Sequence, residues 1–386
     1  MRRPRLRCAV AAAALGLAAC AGPAAAATPP RPLPGWPVDT PAGTVHRGPD
    51  RGVVVISRDG FDFAVTAFRR DGRRLWRSAR RASCGNCDEG PQREALQPDG
   101  TYGPIGPEGD DIWAVDRRGR VVPGCSGAVS ADGSCVLGGS LSIDGTNGTP
   151  FVAAALAGAR LWTVEVPGLS WLDESGVPPV VARDLAGLAY AAFERPTDLA
   201  TGTVPAGRLV AVDPATRTIA WSRTGPSAVL TALRSGVLAS EGAGLVALRA
   251  DGSVLWTRPI AAGQTVSAAD VAYDARRDRV YVGRRGRHPG VTALDGATGA
   301  QLWRTATRDR ARLLSAGARG HVYVAVDTPG ATAIRAIRLS GARRWQRRTG
   351  RLVTGAAELA NGTVAVSAGS GFPAPGTGIL TILDPR

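Results

Sequence analysis

Four cysteines in the body of this 386-residue chain are the residues best suited to metal or redox chemistry. Cys84 and Cys87 form a Cys-x-x-Cys, and Cys125 and Cys135 follow at a wider interval. Cys-x-x-Cys is half of a four-thiolate zinc site, but the second pair has the wrong spacing for the other half. A c-type haem attachment needs His after the second cysteine, where this chain has Asp88. Disulfides are the simpler chemistry. Cys84–Cys87 with Cys125–Cys135 is the simplest pairing, and four cysteines allow three connectivities.

Charged residues gather in two further places. Asp88, Glu89, Glu108, Asp110 and Asp111 form an acidic group, but without the alternating oxygen-ligand spacing of a calcium loop. Arg284, Arg285, Arg287 and His288 form a basic one. Solvated loop charge is the plainer account of both. Trp171 has a ring that can stack on a sugar or quinone, or simply pack its own loop down. Only three histidines occur (His46, His288 and His321), and His321 sits in a Val/Tyr-rich strand, as a core histidine does. No Ser/His/Asp or metal-histidine constellation stands out, so no catalytic residue and no metal ligand is nominated.

The elements that position these residues come from a repeat. Seven times an Ala precedes a Trp-type position by nine or ten residues, usually with a turn Gly four residues before that position. The copies start at Ala67, Ala114, Ala153, Ala211, Ala247, Ala293 and Ala336. They end at Trp76, Pro123, Trp162, Trp221, Trp256, Trp303 and Trp345. A period near forty residues marks an array of similar units sharing one core. Each copy reads as a hairpin. Leu209–Val212 is a short apolar strand, Asp213-Pro214 opens the turn, and a second strand carries Trp221. Upstream of the hairpins lie further strands such as Arg279–Gly283 and Gly320–Val324. Four strands per unit is the arithmetic of a propeller blade.

Both ends of the chain carry signals. Residues 1–7 are basic and 8–19 apolar, the pattern of an export leader too short to span a bilayer comfortably. The leader ends in Leu17-Ala18-Ala19-Cys20, which resembles a bacterial lipobox with Cys20 as the acylated residue. Cleavage among Ala24–Ala27 is the competing expectation. The chain thus divides into a signal peptide and lipobox (1–20), an Ala/Pro-rich tether (21–33) and one propeller (34–386). Export places the remaining cysteines in an oxidising compartment. The formal charge of +15 is carried entirely by arginine, a bias that reads as codon usage, and loss of the leader's four arginines leaves about +11. That charge suits anionic lipid or wall polymers. No basic helix or aromatic-basic motif points to nucleic acid.

The fullest copy, Ala293-Leu294-Asp295-Gly296-Ala297-Thr298-Gly299-Ala300-Gln301-Leu302-Trp303, resembles the PQQ-like (quinoprotein-type) β-propeller repeat. The resemblance runs from Trp36 onward and implies an all-β fold: eight four-stranded antiparallel blades, with each Trp docked on the next blade. Seven motifs end internally and the chain stops after the strand Ile379–Asp384. The segment Leu33–Val38, carrying Trp36, is therefore expected to complete that last blade and close the ring. The longest connections fall at one end of such a ring, which is the expected working face. In overall plan (lipobox, tether, one propeller) the chain resembles BamB-like envelope lipoproteins. The implied function is noncatalytic: a monomeric scaffold or binding module for an envelope protein or wall polymer, held at the membrane surface by its anchor. The alternative the resemblance raises is a quinoprotein dehydrogenase using pyrroloquinoline quinone and calcium. Against it, the adjacent cysteine pair of several such enzymes is missing and the chain has no large insertions.

Overall fold

Apolar runs of five to eight residues broken by Asp/Gly turns can bury their faces only by pairing in hairpins and stacking the resulting sheets. The computed structural model describes residues 29–59, 62–81, 95–96, 99–105, 113–125, 128–129, 134–141, 149–156, 159–167, 181–184, 187–193, 207–260, 266–284, 289–307, 310–317, 319–328, 331–369 and 377–385. Almost all of them lie in strands or in the tight turns between strands, and the strand pairs among them are antiparallel, as in Val53–Asp59 against Asp62–Phe68.

Neighbours in sequence are neighbours in each sheet. Five sheets have four strands, one has seven, and the last combines the C-terminal strands with the N-terminal segment. The seven-stranded sheet is two four-stranded units sharing Thr218–Leu233. This 16-residue strand is the outer strand of one unit and the innermost strand of the next. That strand therefore belongs to two successive four-stranded units. Innermost strands pack on one another around the ring: Gly43–Arg47 on Leu352–Glu358, that strand on Arg310–Ala316, and that in turn on Val271–Asp274.

The ring closes through the two ends of the chain. Val38–Pro41 pairs with the C-terminal strand, Val38 opposite Leu380 and Pro41 opposite Thr377. Arg31 and Pro32 pair with Asp384 and Leu383. The closure differs from one continuous strand over Leu33–Val38. After Leu33 donates its N–H to Ile382, residues 34–37 turn away, because Pro34 and Pro37 have no N–H to give the ladder. Trp36 uses this excursion to reach the next sheet, where its indole N–H donates to the Arg70 carbonyl at 2.8 Å.

The Ala-to-Trp interval has a direct structural meaning. Ala67, Ala211, Ala247, Ala293 and Ala336 each stand directly across the ladder from their Trp, and a β-bulge follows each Ala. The bulge brings the Trp back into register after the turn. In three units a buried Tyr faces the same Ala from the other side: Tyr190, Tyr281 and Tyr323. The methyl group between them leaves the two rings facing each other at 5.9–6.2 Å. The copy assigned to Ala153 is displaced by one residue. Ala154 faces Trp162 and Ala153 faces Thr163, because the bulge falls between Ala154 and Ala155.

Each Trp also reaches the following unit. Trp221 donates to the Ala250 carbonyl at 2.7 Å and lies on Gly252; Trp256 donates to Gly296 at 2.8 Å and lies on Gly299. Trp76 and Trp303 cover Gly119 and Gly341 in the same manner. In the copy ending at Pro123 the register is also displaced: Val122 stands across from Ala114 and Pro123 faces Trp113, and beyond them Cys125 and Cys135 form a disulfide with a Cα separation of 5.7 Å. It joins the unit ending at Val121–Pro123 to the second strand of the next, so a covalent link stands where the ring is missing.

Candidate functional site

The up-and-down strand order gives the ring two chemically different ends. At one end the fully described connections are short turns, such as 69–73, 116–120, 249–253 and 338–342. At the other, strand ends bracket the long connections: Arg81 and Ala95, Ile105 and Trp113, Glu165 and Val181, Phe193 and Gly207, Arg284 and Gly290, Gly369 and Thr377. Most residues singled out from the sequence fall inside those connections. Cys84, Cys87, Asp110, Asp111, Trp171, Arg285, Arg287 and His288 lie outside the described residues, as does Cys20. Arg284 is described, at the end of Arg279–Arg284. Its pKa is lowered by burial first, and then by Arg304 and Arg258 on neighbouring strands. That makes it part of a locally positive rim at the long-connection end.

The tight-turn end holds a feature the motif reading did not anticipate. A cavity of about 340 Å³ opens where four innermost strands finish, lined by Arg47, Tyr273, Asp274, Arg276, Ser315 and Glu358, among others. Glu358 is 3% exposed. Its Oε2 accepts the Arg319 N–H at 3.2 Å, while Oε1 has no hydrogen-bond partner and stands 3.6 Å from His321 Nδ1. Arg47 turns back to donate to the Glu358 carbonyl at 2.8 Å. Tyr273 donates to Asp278 at 2.7 Å, and burial first and then that hydrogen bond push its pKa up to about 12. His321 is half-buried, between Arg344 at 2.8 Å and Glu358, not sealed in the core. The only advance signal for this cavity was the polar character of the residues ending the innermost strands. The strand motif does not encode that convergence.

Many polar side chains of the described residues are engaged in local hydrogen bonds. The turn aspartates bind their own backbones: Asp213 accepts from Ala215, Asp251 from Ser253 and Asp295 from Thr298. Ser315 donates to the Ala356 carbonyl at 2.8 Å, and Ser267 donates to Asp270 as half of a capping box in which that carboxylate also accepts the Ser267 N–H. Tyr190 and Tyr323 are pushed up, by burial first and then by Asp184 and Glu358 respectively, away from any role as a base at neutral pH. Among the described residues no three His, Cys, Asp or Glu side chains gather as a metal site.

Residues 241–386 match the family model described as outer membrane protein assembly factor BamB. No curated protein matches the chain. Among solved structures, Sqt1 of Saccharomyces cerevisiae is similar at a TM-score of 0.54 and 8% identity, covering 92% of this chain and 100% of that one. A eukaryotic initiation factor gives a TM-score of 0.51 at 12% identity, covering 89% and 85%. BamB from Moraxella catarrhalis shares 15% identity at a TM-score of 0.36, covering 89% and 85%. At these identities the structural likenesses speak to fold alone. With its bulged Ala–Trp hairpins, its four-stranded units and its closure by the N-terminal segment, the chain is a β-propeller protein built from PQQ-like repeats.

Proposed function

We propose that this chain is an exported, lipid-anchored propeller that binds an envelope protein or a cell-wall polymer through its long-connection end, as a monomer and without catalysing a reaction. The observation that carries the proposal is the division of the ring into two ends. A scaffold whose every long connection emerges on one side presents them together, and binding residues concentrate on such loops. The commitment of the turn aspartates, of Ser315, and of the Trp36, Trp221 and Trp256 indoles to turns and docking contacts supports the noncatalytic part. The match over residues 241–386 agrees with an envelope role.

The test is a comparison of two variants of the exported protein in crosslinking from envelope extract. In the first, the connections at 195–206 and 371–376 are replaced by short Gly-Ser turns. In the second, exposed tight-turn residues Arg249 and Arg338 become Ser. The first is expected to lose its specific crosslinked partner or polymer and the second to keep it. Equal retention by both would move the binding surface away from the long connections. Titration with pyrroloquinoline quinone and calcium addresses the dehydrogenase alternative: stoichiometric binding with dye-linked oxidation of an alcohol or sugar would overturn the noncatalytic reading.

A further inference from the structure

The N-terminal tether and an arginine cluster meet at the same end of the ring. Arg31 pairs with Asp384, at the tight-turn end of the C-terminal strand. The Pro30 carbonyl accepts from the Arg347 guanidinium, two residues beyond Trp345. In neighbouring units the residue two beyond the Trp donates instead to the turn glycine of the next unit: Arg258 to Gly299, Thr305 to Gly341 and Ser78 to Gly119. Pro30 therefore occupies the place of a tight turn, and the chain before it leaves from that end. The two units that follow carry the cluster. Arg69, Arg70 and Arg73 surround the turn on which Trp36 docks, and Arg117 and Arg118 lie in the turn covered by Trp76. All five are exposed. The acids among them are committed locally. Asp71 accepts the Arg73 N–H at 3.1 Å; Asp116 accepts those of Arg118 and Arg120 and pairs with the Arg120 guanidinium at 2.7 Å. None of the five guanidinium groups makes an ion pair with a described residue.

We propose that the tight-turn end is the membrane-facing end of the protein, held against the phosphates of an anionic bilayer by Arg69, Arg70, Arg73, Arg117 and Arg118. The orientation rests on the reading of Cys20 as a lipid anchor. Ten residues separate Cys20 from Pro30, which is at most about 35 Å of extended chain. The tight-turn end reaches the bilayer with this tether slack. The opposite end reaches it only if the tether runs back along strands of seven or eight residues, about 25 Å deep. Guanidinium groups pair well with phosphate, and a bilayer's field acts within about 10 Å, so a basic cluster counts most on the surface the tether already holds there. The bilayer then sits opposite the long connections, which are left free for a partner.

Flotation of the full chain carrying Cys20→Ala, on phosphatidylcholine vesicles with and without phosphatidylglycerol, tests the cluster apart from the anchor. The leader, with four arginines of its own, adds to binding of phosphatidylglycerol but is the same in every variant, so the cluster is read from the difference between variants. Arg70→Glu/Arg118→Glu is expected to reduce the phosphatidylglycerol-dependent binding about tenfold or more. Arg80→Glu/Arg348→Glu makes the same charge change on exposed outer-strand positions nearer the other end and is expected to leave it within about twofold. Equal losses in the two double variants, or no dependence on phosphatidylglycerol, would overturn the arginine cluster and leave the anchor standing. Mass analysis of the N-terminal fragment of the wild-type exported protein tests the anchor itself: an unacylated Cys20 would remove the membrane-facing orientation whatever the vesicles show.

Discussion

At the scale of single residues, the turn glycines beneath Trp76, Trp221, Trp256 and Trp303 leave no room for a side chain. Gly299 has φ +68°, and a Cβ on it would stand 2.6 Å from Cδ2 of Trp256. Gly299→Ala combines left-handed backbone strain with a collision against a buried ring, and is expected to cost about 2–4 kcal/mol in denaturant unfolding. Gly242 has φ +53° and open space around it, so Gly242→Ala should cost only about 1 kcal/mol. Equal losses would mean that the indole is not seated on Gly299. A second residue-scale effect belongs to His46, on the innermost strand Gly43–Arg47. Burial lowers its pKa from 6.5 to about 4. Between those values the unfolded chain binds the proton more readily than the folded one. The contribution of His46 to stability is therefore complete above pH 6.5 and is lost as pH falls toward 4. Melting temperatures of His46→Gln should vary less with pH across that window than those of the wild type, and an unchanged slope would place the acid sensitivity elsewhere.

At the scale of elements, two devices join units that hairpins alone leave separate. The first is the N-terminal segment, which supplies the fourth strand of the last sheet and the Trp that docks on the next. Deleting residues 29–41 exposes a strand edge and the apolar cluster around Trp36, Val45 and Leu380. The expected outcome in calorimetry is loss of the single cooperative transition at the wild-type temperature, and an unaltered melting curve would rule this closure out. The second device is the Cys125–Cys135 disulfide, which closes a loop of sequence separation 10 where the repeat lacks its Trp. Its removal as Cys125→Ser/Cys135→Ser is expected to lower stability by about 2–3 kcal/mol, measured by urea unfolding under oxidising conditions. A change near zero would mean that packing alone joins the two units.

At the scale of the whole molecule, a closed ring with short turns at one end and long connections at the other is a device for facing two ways. Lipid-dependent association through the arginine cluster should weaken steeply as salt rises, because exposed charges are screened beyond a Debye length of about 10 Å at 0.1 M. Crosslinking to an envelope partner at the opposite end should respond much less. Flotation and crosslinking across one salt series check both expectations, and parallel decay of the two would mean that a single surface serves both.

Much of the architecture was legible in the residues themselves. The Ala-to-Trp interval and the turn Asp and Gly identified four-stranded units, and an unfinished last unit pointed to the N-terminal segment as its completion. Such features are local, because turn chemistry and strand pairing depend on residues close in sequence. The bulge that places Ala across from Trp, the one-residue displacement at Ala154, and the two prolines that deflect Leu33–Pro37 from the ladder were set by register, which propensity does not encode. The candidate site was legible only in outline. Spacing could show that long connections share one end, but not that Arg47, Tyr273, Ser315 and Glu358 converge on a cavity at the other. Nor could it show that Pro30 leaves the ring beside Arg70 and Arg118. The sequence by itself determined the repeating unit. Only the closed ring, which brings the chain's two ends and its most distant turns side by side, decided which residues are neighbours.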